Sequence, residues 1–140
     1  MKEENRAFQA ALKSREFVHT KDKEGWLGLF AEDGVIEDPI GKSPLDPEGN
    51  GIGTPEARSK FWDSNMANSN INITIQKSYT AANNEVANIL TLVIIVTMDG
   101  KKYRQIVNGV FTYHVNDDDK ITSLRGYWEF DEGLATFAEI

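Results

Sequence analysis

From Ile71 onward the apolar residues of this chain recur with the period of strands, whereas upstream they recur with the period of helices. Ile71, Ile73 and Ile75 alternate with Asn72, Thr74 and Gln76, which predicts a half-exposed strand. Glu85 to Met98 is apolar on both faces in its middle, as a central strand covered on each side requires. An Asp99-Gly100 pair makes a hairpin turn into a strand from Lys101 to Val115. Asn116 to Asp119 form a second turn, leading to a last strand from Lys120 to Phe130. Before the switch, Ala7, Ala11, Ser14 and Val18 define one face of a helix, with Phe8 and Leu12 beside it. Asp22 caps a second helix that presents Trp26, Leu27 and Phe30 on one side and ends at Gly34. Thr54, Pro55 and Glu56 start a third, whose apolar side is Phe61, Trp62 and Met66. Helices followed by long antiparallel strands imply an α+β fold, its strongly curved sheet wrapped around the helices. With 140 residues and no repeats or linkers, residues 1–140 read as one domain.

Charge and composition narrow the partners. A net charge of −7 argues against nucleic acid, whose phosphates need Lys and Arg, and against anionic membranes. The chain has no cysteine, hence neither disulfides nor thiolate chemistry. Its first residues are too charged for a signal peptide, and the longest apolar run, Ile89 to Met98, is too short to span a bilayer. A cytoplasmic location is the expectation. His19 and His114, the only histidines, lack metal-ligand spacing, and the acidic runs read as loops and solvated faces. The segment between Lys42 and Gly53 is turn chemistry without a phosphate-loop lysine. No metal or cofactor is expected.

One acid stands out. Asp38 lies in Val35-Ile36-Glu37-Asp38-Pro39-Ile40-Gly41, with apolar residues on both sides and a proline that favours an extended backbone. In a strand Glu37 and Asp38 point to opposite faces, so one can be solvated and the other buried. Burial would raise the carboxyl pKa and make it a general base near neutral pH. Its structural alternative is a strand-ending turn cap before Pro39. Aromatic residues divide in the same way. Leu124, Trp128 and Phe130 share one face of the last strand, opposite Arg125, Tyr127 and Glu129. Tyr103, Val107, Phe111 and Tyr113 share a face of the strand before it. Such faces either fill a core or line a flat apolar pocket.

The stretch WLGLFAEDGVIEDPIG (Trp26 to Gly41) resembles the helix, turn and strand that deliver the catalytic aspartate of ketosteroid isomerases in the NTF2-like and SnoaL-like superfamily. TPEARSKFWDSNM (Thr54 to Met66) is similar to the family's third helix, and KITSLRGYW (Lys120 to Trp128) to its last strand. The EDPIGKS and GVFTY segments are similar to those of mycobacterial-type steroid isomerase-like proteins. This resemblance implies a cone-shaped half-barrel, Asp38 as base, and Trp128 and Trp62 on a steroid pocket. It also exposes departures. Family members stabilise the enolate oxygen with a tyrosine and a protonated aspartic acid. Ser14 falls at the tyrosine position and Gly109 at the acid position, and Phe30 replaces a supporting tyrosine. A register shift would bring Asn108 to the acid position but would reverse every face of the strand.

The leading expectation is therefore a cofactor-free, ketosteroid isomerase-like protein. Asp38 moves a proton on a steroid- or polyketide-like ketone enclosed by Phe30, Trp62, Phe111, Tyr113 and Trp128. Ser14 or Asn108, directly or through water, polarises the carbonyl. A SnoaL-like cyclase would use the same pocket for ring closure. The rival is a non-catalytic protein that binds a steroid-like apolar small molecule, which accounts for the missing donors. A pure interaction domain comes third. Because this fold often pairs through its sheet, a homodimer is expected.

Overall fold

In a computed structural model, described for residues 2–140, three α-helices precede the long strands and pack against the inner face of one curved, unclosed sheet, and a short fourth follows them. A short 3₁₀ turn leads into α1 (Arg6–Thr20), α2 (Lys23–Leu27), β1 (Phe30–Glu37) and α3 (Pro55–Asn65). There follow β2 (Ser69–Ala81), β3 (Glu85–Met98), β4 (Lys101–Val115), β5 (Ile121–Tyr127), α4 (Phe130–Leu134) and β6 (Ala138–Glu139). The strand order is β1-β5-β4-β3-β2, with β6 paired to β4. Only β1 and β5 run parallel; the other pairs are antiparallel, giving the expected α+β half-barrel.

Local chemistry starts the helices where the sequence places them. Asn5 caps α1 by accepting from the Phe8 amide at 2.9 Å, Asp22 caps α2 through Gly25, and Thr54 caps α3 through Ala57. Small residues Ala7, Ala10 and Ala11 let α1 lie close on the sheet, and Trp26 packs on Phe61 and Trp62 in the same core. Among the described residues no helix is long and apolar enough to cross a membrane.

Three boundaries differ from expectation. The second helix stops at Leu27, capped by Gly28, so Phe30 opens β1 instead of lying on a helix. Gly34 is inside β1, where the register with β5 shifts. A Cβ there would sit 2.6 Å from the Ile121 carbonyl, so the glycine serves strand pairing and not helix termination. At the other end β5 stops at Tyr127, and Phe130 begins α4, whose first turn carries Asp131 and Glu132. Finally, β3 is well covered only on its inner face from Val86 to Leu90. Its outward residues Val93 and Ile95 are half-buried and Ile89 is exposed, so this chain supplies only one of the two covers its sequence calls for.

Candidate active site

A cavity of about 320 Å³ lies between the inner face of the sheet and helices α1 and α3. Its length follows β3, whose inward residues Asn88, Leu90, Leu92, Ile94 and Val96 all line it. Exposed Ser64 and Asn68 stand at the Val96 end, and buried Tyr113 and Ser14 close the Asn88 end. The wall is mainly aliphatic and aromatic, and among the described residues Asp38 is its only carboxylate.

Asp38 enters this wall because β1 alternates. Glu37 pairs with Arg125 on β5 and forms an ion pair with it at 3.0 Å, while Asp38, one residue on, points inward. The Asp38–Pro39 peptide is cis, and the Ile40 amide donates to the Gly126 carbonyl at 3.1 Å, which fixes Asp38 level with Gly126. Position 126 must be small. An added Cβ would meet Phe111 at 2.8 Å, Asp38 Oδ1 at 2.9 Å and the Trp128 indole nitrogen at 3.0 Å. In the space so kept, Trp128 Nε1 donates to Asp38 Oδ1 at 2.6 Å. Burial pushes the Asp38 carboxyl up from its ordinary 3.8 to about 6, against the opposing pull of the Trp128 bond. Part of its surface stays accessible, as expected of a group that lines a cavity.

Hydroxyl groups gather beside it. Ser14, buried on the inward face of α1, accepts from the Trp26 indole at 3.0 Å and meets the Tyr113 hydroxyl at 3.2 Å. Tyr113 is held at about 12, first by burial and further by the charge of Asp38, with the Ser14 bond opposing. β4 thus sets a phenol hydroxyl against Ser14 of α1.

The remaining expected residues separate. Phe111 and Trp128 line the cavity together with Asp38, Ser14 and Tyr113. Phe30 and Trp62 are buried one layer back, packed on Trp26 at ring distances of 4.8 and 5.3 Å, and do not line the cavity. Asn108 lies on the outer face of β4, where its side chain accepts from Thr91 at 2.7 Å. That face is fixed by β4 pairing, which sets Asn108 opposite Thr91 and Phe111 opposite Gly126. The β4 position beside Asp38 is therefore Phe111. At Gly109 a Cβ would run into the Tyr127 carbonyl at 2.6 Å, so no side chain fits. Four participants escaped sequence reasoning: Trp26, Gly126, Asn88 and Arg15, the last lining the cavity from α1. Gly126 alone had a local signal, a glycine alternating with Leu124 and Trp128. Among the described residues no cluster of three or more His, Cys, Asp or Glu is placed to hold a metal. His19 accepts from the Ile73 amide at 2.9 Å, and His114 bonds Thr122.

In sequence, residues 8–124 match the SnoaL-like domain family. No curated protein matches the chain. Among solved structures it is similar to a Δ5-3-ketosteroid isomerase from Mycobacterium sp., at 34% identity and a TM-score of 0.86, over 97% of this chain and 99% of that one. A computationally designed 17-OHP binder is similar at 36% identity and a TM-score of 0.86, with 97% and 99% covered. Mycobacterium tuberculosis RV0760c, solved in complex with estradiol-17β-hemisuccinate, is similar at 39% identity and a TM-score of 0.83, with 96% and 98% covered.

Proposed function

The chain belongs to the SnoaL-like domain family, and on that premise we propose that it transfers a proton on a flat, apolar, steroid- or polyketide-like ketone, with Asp38 as the base. The observation that carries this reading is a lone carboxylate in an apolar cavity wall, its pKa raised to about 6. At pH 7 about nine in ten such groups are ionised, yet their basicity exceeds that of an ordinary aspartate. Asp38 takes a proton from the carbon beside the carbonyl, and the C–H electron pair becomes a C=C bond. The carbonyl π pair moves onto oxygen; the Tyr113 hydroxyl, which donates to Ser14 in the free protein, turns its hydrogen to that oxygen, and the Ser14 hydroxyl, held by Trp26, donates to the phenol oxygen in its place. Asp38 then returns the proton to a different carbon. Phe111 and Trp128 flank the carboxylate and exclude water from it. Similarity to a ketosteroid isomerase and to two steroid-binding structures supports this substrate class.

The test is Asp38→Asn with a β,γ-unsaturated ketosteroid. Asparagine can still accept from Trp128 but cannot take a proton. Enone formation should fall at least about a thousandfold while steroid affinity stays level or improves. Equal turnover in mutant and parent removes Asp38 from the chemistry. A second reading, a steroid-like binder without catalysis, is favoured by one observation: Ser14 is already engaged by Trp26 and Tyr113, and Gly109 offers no donor. Tight binding without turnover in either protein would establish it. In both readings the protein is a cytoplasmic homodimer, its copies meeting through the outer sheet face that carries Val93, Ile95 and Ile106.

A further inference from the structure

Asn88 holds a buried donor that the fold does not use. Its side chain is on the inward face of β3 and the residue is 1% exposed. Oδ1 accepts from the Ser78 hydroxyl at 2.5 Å, but Nδ2 has no hydrogen-bond partner among the described residues. A buried amide nitrogen without a partner destabilises a fold, and such groups are rare enough to need a cause. Local packing gives none. Every other inward residue of β3 from Val86 to Val96 is Val, Leu or Ile, and an aliphatic side chain at position 88 would continue that face without an orphan.

Its location supplies a cause. Asn88 pairs with Phe111, Phe111 pairs with Gly126, and Asp38 is level with Gly126, so the four lie in one row across the sheet. Tyr113 is on the next inward row of β4, diagonal to Asn88 and nearer the closed end. A ring pushed to that end has Asp38 on one side, Asn88 on the other and the Tyr113–Ser14 hydroxyls ahead of it.

We infer that Asn88 is a second donor to the ligand's carbonyl oxygen, its Nδ2 completing with the Tyr113 hydroxyl the pair that the family resemblance leaves open. The inference rests on the proton-transfer reading for its catalytic consequence, but not for binding. Negative charge grows on the oxygen as Asp38 removes the proton, and a fixed N–H there favours the enolate over the ketone without itself giving up a proton.

The experiment uses a fused-ring phenol, whose oxygen mimics the enolate, and the same ring system without the hydroxyl. Both are titrated into the parent, Asn88→Leu and Asn88→Val. Leucine and valine each remove the donor and the orphan together; β-branched valine suits a strand, so a folded variant is available if leucine fails. Phenol affinity should drop roughly ten- to hundredfold in each variant, with the deoxy ring changed less than about threefold. On a β,γ-unsaturated ketosteroid, kcat should fall by a similar factor with little change in KM. Folded variants that keep phenol affinity within about threefold overturn the inference, as do variants that isomerise the ketone at the parental rate, an outcome that leaves Asp38 as base. Should the parent turn over nothing, the proton-transfer reading falls, and the phenol-to-deoxy comparison still decides Asn88.

Discussion

Asp38 is destabilising in its ionised form, the form that the proposed proton transfer needs. Its carboxyl titrates near 3.8 when ordinary and near 6 in the fold, because burial penalises the anion more than Trp128 relieves it. Between those values the folded state holds a proton that the unfolded chain has released. The favourable contribution of neutral Asp38 is therefore complete below about pH 4 and is lost as pH rises through 6. Two pKa units correspond to roughly 2–3 kcal/mol. Asp38→Asn, which stays neutral, should raise stability by about that amount at pH 8 and by almost nothing at pH 4, as read from urea unfolding at both. An advantage equal at the two values would contradict a raised pKa. The same group predicts a kcat/KM that climbs through about pH 6 and then levels. Asp38 was legible because Pro39 and the Glu37–Asp38 alternation are local. Tyr113 was legible only as an aromatic on a wall. The donor role proposed for it depends on Ser14, 99 residues away, and no periodicity within one strand reveals that.

The period switch and the cap residues located most helices and strands, since both act within a few residues. Boundaries failed where a distant strand decided them. Gly34 and Phe30 belong to β1 because β5 pairs there, and β5 lies some ninety residues further on. Two glycines on this strand pair now make opposite predictions. At Gly34 a methyl group would strike the backbone oxygen of Ile121 at 2.6 Å, which only a shift of β5 can relieve. At Gly126 it would strike the ends of three side chains, Phe111, Asp38 and Trp128, which can turn aside. Gly34→Ala should therefore cost more stability and leave ligand affinity nearly intact. Gly126→Ala should cost about 1–3 kcal/mol by overpacking and also break the Trp128–Asp38 bond, lowering turnover by tenfold or more. Thermal melts paired with rate measurements separate the two. Unchanged turnover in a folded Gly126→Ala protein would mean that the indole bond does not position the base.

At the scale of the molecule the sequence announced a cover that one copy does not provide. β3 is apolar on both faces; its inner residues line the cavity, while Val93 and Ile95 face outward, half-buried as Leu92 and Ile94 are. Their neighbours across the β3–β4 ladder are Ile106 and Arg104, so the apolar patch is continuous through Val93 and Ile106 and bordered by charge. A second copy laid on this face would bury the patch, and symmetric pairing is the commonest way chains do so. Charge decides how such a dimer responds to salt. Each copy carries −7, so two copies repel over distance, and an apolar contact that wins at low salt gains as ions screen the repulsion. Sedimentation should show a dimer that tightens, not loosens, between about 20 mM and 300 mM salt. Val93→Lys should give a monomer at micromolar concentration. Because Val93 points away from the cavity that Leu92 and Ile94 line, the monomer should keep steroid affinity within about threefold. A parent protein that is monomeric at all salt concentrations would show that the outer face of β3 has some other use. A monomeric Val93→Lys that loses its ligand would show instead that the dimer holds the cavity in shape.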